Sequence, residues 1–134
     1  MAWVLDTNTV VFCLRGKSAK AMSRLHEIPA GKVFIPCQVL AELLLGAAKS
    51  ARPVENRQTV LSFLAPFQVR WPNAATVDHY VSIRSALERQ GAVISEADFW
   101  IAATRPEIGA AVVTNNTSEF ERVPGRVVED WMLP

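Results

Sequence analysis

Three carboxylates in this chain interrupt apolar stretches. Asp6 ends the run Trp3–Leu5 and opens "DTNT", Glu42 stands inside "LAELLLG", and Asp98 stands in "SEADFWIAA". Each has an ordinary explanation. Asp6 could cap a helix. Glu42 could lie at a solvent edge, because glutamate is rarely buried unpaired. "SEAD" fits the capping box, in which the acid reaches back to the helix start. As a set they carry more. Three carboxylates among oxygen-rich neighbours suit Mg²⁺ or Mn²⁺, which take hard oxygen ligands and leave positions for water and phosphate. Concentrated negative charge repels a phosphodiester unless a cation bridges the two, and such a cation also lowers the pKa of an attacking water.

Polar groups recur after a later apolar run. "VVTNNTSEF" places Asn115, Asn116 and Glu119 behind Val112 and Val113. The two histidines offer no competing centre: His26 lies in a helix without an acid motif and His79 in "VDHYVSI", so surface or packing roles are expected of both. No glycine-rich phosphate loop and no GxSxG serine elbow is present. Cys13 and Cys37 lie in apolar stretches without metal-ligand spacing and read as reduced packing residues.

Short apolar runs alternate with helical periods, and these elements must position the acids. Strands are expected at Trp3–Leu5, Val33–Ile35, Val69–Trp71, Ala111–Thr114 and Val127–Glu129. Helices are expected over Thr9–Leu14, Ser18–Ile28, Val39–Lys49, Pro53 to about Ala65, Thr76–Gln90 and Ser95 to about Thr104. Ser18 is a candidate N-cap, and Gly91 a stop signal. The alternation predicts one α/β domain, residues 1–134, with a largely parallel sheet. Sites in such sheets form beyond the carboxyl ends of the strands. Asp6 and the Asn115–Asn116 pair fall at that edge.

The whole chain sets the class. With 134 residues it can bury a real core, and 14 Lys and Arg against 13 Asp and Glu leave a net charge of +1. That balance neither demands nor excludes a nucleic-acid partner. No apolar run approaches the ~20 residues of a membrane helix, and Asp6 falls where the apolar centre of a signal peptide would lie, so a cytoplasmic protein is expected.

The ordered set "LDTN", "AELLLGA", "ADFWIAA" and "VVTNNTSEFERVPG…VEDW" resembles the PIN-domain family, and within it the VapC-type toxins of bacterial toxin–antitoxin pairs. The resemblance spans essentially the full chain. It implies a three-layer α/β/α fold and a Mg²⁺-dependent endoribonuclease, with Mn²⁺ as a substitute, usually dimeric and neutralised by a VapB-like antitoxin. The family's acidic centre falls on Asp6, Glu42 and Asp98 as metal ligands. Its fourth catalytic position falls on Asn116, with Glu119 as a nearby acid and Asn8 and Thr114 as supporting polar residues. The C-terminal segment is similar to that of relatives that cut initiator tRNA in the anticodon loop, which makes tRNA the favoured RNA substrate.

The chain departs from the family pattern in three places. Asn116 supplies no fourth negative charge. Pro36, Cys37 and Gln38 replace a Ser- and Thr-rich lead into the glutamate helix, and Pro106 interrupts a segment that is usually helical. Two other classes compete. An aspartyl phosphatase would need a second acid where Asn8 stands, and a non-catalytic binding relic of the same fold would have eroded acids. Arg15, Lys17, Lys20 and Arg24 follow the Asp6 strand and are candidate phosphate contacts, Arg15 and Lys17 foremost. "LLLGAA" and "FWIAA" carry more large apolar surface than two modest helices need, which suggests a homodimer interface and an antitoxin groove.

Overall fold

Five parallel strands form the sheet of the computed structural model, which describes residues 1–104, 110–125 and 127–132. Their order is β3-β2-β1-β4-β5, with β1 at Ala2–Leu5, β2 at Val33–Pro36, β3 at Gln68–Arg70, β4 at Ala110–Val113 and β5 at Val127–Glu129. β1 lies at the centre, pairing with β2 on one side and β4 on the other. Connections leave β1 toward β2 and β3, whereas β4 lies on β1's other flank. The strand order therefore reverses at β1, where α/β sheets open their ligand crevice. Val4, Leu5, Val112 and Val113 are wholly buried, as expected of strands covered on both faces.

The helices among the described residues are α1 (Thr7–Leu14), α2 (Ala19–Glu27), α3 (Cys37–Ala48), α4 (Pro53–Leu64), α5 (Ala74–Gln90), α6 (Glu96–Ala103) and α7 (Thr117–Phe120). Most expected elements lie within two residues of these bounds. Local signals explain several limits. Ser18 caps α2, Pro53 opens α4, and Gly91 closes α5 in the left-handed conformation at φ 66°. α5 starts early because Asn73 and Thr76 form a reciprocal capping box.

Three expectations are corrected. α3 begins at Cys37, directly after Pro36, whose fixed φ suits a helix entrance but provides no side-chain cap. β3 ends at Arg70, so Trp71 lies outside the strand and is exposed. α7 has too few turns to register as a helical period, and tertiary contact with β5 supports it. α6 closes at Ala103 with Thr104 as its cap; Pro106 lies outside the described residues. No helix of the described residues is long and apolar enough to cross a membrane.

Candidate active site

Asp6, Glu42, Asp98 and Asn116 line one cleft of about 170 Å³, with Thr7, Asn8 and Ser95 beside them. Four elements converge there: the end of β1, the second turn of α3, the first turn of α6 and the loop after β4. The expected acidic centre and Asn8 are therefore brought together by the fold.

Asp6 is the best-anchored member. It is buried, and its side chain accepts the Thr9 N–H at 2.9 Å as the N-cap of α1. Its own N–H donates to the Val113 carbonyl at 3.1 Å, and the Thr9 hydroxyl donates to that same carbonyl at 3.1 Å. A hydrogen bond from the Thr114 hydroxyl also favours the charged carboxylate. Burial pushes the Asp6 pKa up; the bonds from Thr114 and Thr9 oppose the shift, and the charge of Asp130 adds to it. Capping and chemistry are thus compatible: one carboxylate oxygen serves the helix while the group faces the cleft.

Asp98 sits differently. Ser95 caps α6 by accepting the Asp98 N–H at 3.2 Å, but among the described residues the return half of the capping box is not made. The Asp98 carboxyl bonds Glu119, which α7 carries to it, and its pKa is pushed up to about 7. Burial is the largest cause, followed by the hydrogen bond with Glu119 and the charges of Glu119 and Asp6; the Ser95 hydroxyl opposes them. At neutral pH Asp98 thus holds a proton for part of the time. Glu42 is exposed on α3 yet lines the cleft. Asn116 is half-buried; its N–H donates to the Thr114 hydroxyl at 2.8 Å, and its side chain makes no cap for α7.

Among the described residues no three His, Cys, Asp or Glu side chains converge tightly enough to hold a metal ion. The three carboxylates ring the cleft without closing on one point. Their chemistry nevertheless fits a hard dication: the polar donors are all oxygen save the Asn amides, and burial with neighbouring acids leaves Asp98 holding a proton that a cation would displace.

Other expected residues lie elsewhere. Arg15 and Lys17 are exposed beyond the far end of α1, about 12 Å along its eight residues from Asp6. Arg24 is engaged, lying over the Trp3 and Trp131 rings and pairing with Glu27 and Glu129. His26 is exposed and His79 half-buried, and neither lines the cleft; both cysteines are free. "FWIAA" is a correction. Phe99, Ile101, Ala102 and Ala103 are buried in the core, and Trp100 stacks on Tyr80 at 4.2 Å, so this stretch leaves little apolar surface for a partner. In "LLLGAA" Leu45 is exposed while Leu43 and Ala47 are buried.

Sequence reasoning missed Thr7, Thr9 and Asp130. Thr9 belongs to the cap motif already visible in "DTNT", and its burial is the signal that needed the fold. Thr7 Oγ1 is buried beside Asp6 without a hydrogen-bond partner among the described residues. Asp130 acts only through space.

A PIN domain model matches residues 3–126. The chain belongs to the PIN-domain family. Similar proteins place it in the VapC branch. It is 37% identical over 131 residues, 98% of each chain, to "tRNA(fMet)-specific endonuclease VapC" of Shigella flexneri. It is 33% identical to "Ribonuclease VapC2" of Haemophilus influenzae, over 98% of this chain and 99% of that one. The solved DNA-bound VapBC of Salmonella typhimurium superposes with a TM-score of 0.90 at 34% identity, covering 98% of both chains. The three-layer PIN architecture expected from the motifs is the one observed.

Proposed function

We propose that this PIN-domain protein is the toxin of a toxin–antitoxin pair, a Mg²⁺-dependent endoribonuclease that hydrolyses RNA phosphodiester bonds to inhibit translation. The observation that carries the reading is the meeting of Asp6, Glu42, Asp98 and Asn116 in one cleft at the strand-order reversal. Asp6, Glu42 and Asp98 would hold the Mg²⁺, with Mn²⁺ as a substitute. When bound, such an ion would supply positive charge for the phosphate and a more acidic water, and hydrolysis of the phosphodiester would leave 5′-phosphate and 3′-hydroxyl ends.

The chain's own groups do the rest. Thr9 and Thr114 fix the Asp6 carboxylate in one orientation, so it meets its partner without reorganising. Asp98 would give up its proton when positive charge arrives, which couples binding to pH. Asn116 offers a neutral amide, a donor for a phosphate oxygen or a carbonyl ligand.

The similarity to a relative named for tRNA(fMet) supports initiator tRNA as substrate. The VapBC complex supports a VapB-like antitoxin. A groove of about 330 Å³ between α1, α3 and α4, walled by Val11, Leu14, Leu43 and Val60, suits the apolar anchors of such a segment. Exposed Leu45, Val54 and Leu61 on α3 and α4 suit a homodimer face. We place the protein in the cytoplasm, where both partners would be met.

Purified protein incubated with total RNA and Mg²⁺ should give discrete cuts whose ends map to one site in one tRNA, and excess EDTA should stop them. Full cleavage in EDTA, or none with Mg²⁺ or Mn²⁺, contradicts the reading.

A further inference from the structure

The chain has four tryptophans, and three are built into the protein. The Trp3 indole N–H donates to Glu129 at 3.3 Å, that of Trp131 to Glu129 at 3.1 Å, and that of Trp100 to Glu96 at 3.3 Å. Trp71 is the exception. It is 65% exposed, and among the described residues it has no ring partner and no hydrogen bond. An indole is amphipathic, and one open to water offers a flat π-face to a stacking partner.

Its place in the sheet gives that contact a direction. Val4 pairs with Phe34, and Phe34 with Gln68, so Asp6 lies level with Pro36, whose partner is Arg70. Arg70 therefore stands two strands from Asp6 at the same carboxyl edge, roughly 10 Å away at ordinary strand spacing. Its guanidinium lies over the Phe34 ring, 4.7 Å from the centroid, and no carboxylate among the described residues pairs with it. Arg70 Nε is buried with no hydrogen-bond partner among the described residues. A cation held flat by an aromatic ring, without an anion of its own, adjoins the one open indole.

We propose that Trp71 and Arg70 form a nucleotide subsite beside the cleft, Trp71 stacking on an unpaired base and Arg70 contacting a backbone phosphate of the same strand. The proposal rests on the ribonuclease reading and sharpens it: the substrate is single-stranded where it crosses β3. Stacking needs a splayed base, which loops and ends provide and a duplex does not. It also explains how a chain of net charge +1 would hold RNA, with one aligned cation and a π-face in place of a basic surface.

The test uses full-length Asp6→Asn protein and a fluorescein-labelled, mixed-sequence 12-nucleotide RNA, alone and annealed to its complement. Fluorescence anisotropy across a salt series is the readout. The parent should prefer the single strand. Adding Trp71→Ala should weaken single-strand binding about tenfold, whereas Trp71→Phe should recover most of it. Adding Arg70→Gln should flatten the salt slope by about 0.7, the value of one phosphate contact to a single strand. Unchanged affinity and slope in both variants overturns the subsite and leaves the nuclease standing if the wild type still cuts. A Trp71→Ala protein that binds RNA normally but loses a protein partner also overturns it. Failure of the wild type to cut or bind any RNA strikes the ribonuclease reading itself. Because Trp71 is exposed, an unchanged melting temperature is expected of every Trp71 variant.

Discussion

Asp6 and Asp98 share a cleft but are held in opposite ways. Asp6 is fixed by backbone and hydroxyl donors from Thr9 and Thr114 at the central strand of the sheet, and Val113 grips its neighbours from β4. Asp98 rides on the first turn of an eight-residue helix, and its carboxyl partner comes from a helix of four residues. The first carboxylate is oriented by the fold whatever the solution holds. The second is set by protonation and by whatever positive charge arrives. A cleft built this way keeps one rigid carboxylate as a reference and one responsive carboxylate as a sensor.

The largest effect should come from the rigid side. Asp6→Asn keeps the shape and the cap, since Asn caps helices as well as Asp. It removes a charge that burial already disfavours. Cleavage should fall by roughly two orders of magnitude or more, the scale of losing several kcal/mol of charge stabilisation. The melting temperature should hold or rise. A large loss of stability would mean that Asp6 is mainly structural, and the contrast with Asp98 would collapse.

Next is pH. The Asp98 pKa lies near 7, well above the ordinary aspartate value of 3.8. In the folded, metal-free protein the group keeps its proton longer than in the unfolded chain. It therefore stabilises the fold below about pH 4, and that contribution is lost as pH rises through 7. Dication binding runs the other way. Below pH 7 each unit of acid should weaken Mg²⁺ affinity up to about tenfold, because one proton must leave. Thermal melts from pH 5 to 8.5, with and without Mg²⁺, should converge at low pH and separate above 7. Curves that stay parallel would deny Asp98 the responsive role.

A smaller change probes the frame around Asp6. Thr9→Val removes the hydroxyl bond to the Val113 carbonyl while keeping the size. That carbonyl still accepts the Asp6 N–H, so the loss should be about 1 kcal/mol, or roughly 3–5 °C in melting temperature. Cleavage should drop several-fold as Asp6 loosens. Denaturation paired with single-turnover assays would separate the two effects.

The smallest expected effect is on the sensor's tuning. Glu119→Gln removes the like charge facing Asp98 and leaves an amide that can donate to it, so both changes favour the ionised form. The pH midpoint for Mg²⁺ binding should move toward acid by roughly a unit or less. A shift toward alkali would show that Glu119 does not act as the structure indicates.

Much of this was legible in residue order. Asp6 after "WVL", Glu42 in "AELLLGA" and Asp98 in "ADFW" are recognisable because a parallel sheet places strand ends and helix starts at one edge, and the order of the motifs gives the family. Local physics also set most element limits: Ser18, Ser95, Pro53 and Gly91 act within a turn or two of themselves. What pattern alone misjudged was through-space. "FWIAA" read as spare surface, yet α5 covers it, with Tyr80 meeting both Phe99 and Trp100. Arg24 read as a solvated helix face or a phosphate contact, yet Glu129 and the indoles of Trp3 in β1 and Trp131 beyond β5 engage it. Sequence separation hides such pairs, because hydrophobic period reports which face is buried and not what covers it. The sequence by itself determined which acids exist and on which elements they ride. Only the tertiary structure decided that Thr9 and Thr114 would orient one acid, that Glu119 would face another, and that Trp71 would be the indole left open. Those outcomes depend on distances of a few ångströms between segments far apart in the chain, which burial and packing fix only once the sheet is assembled.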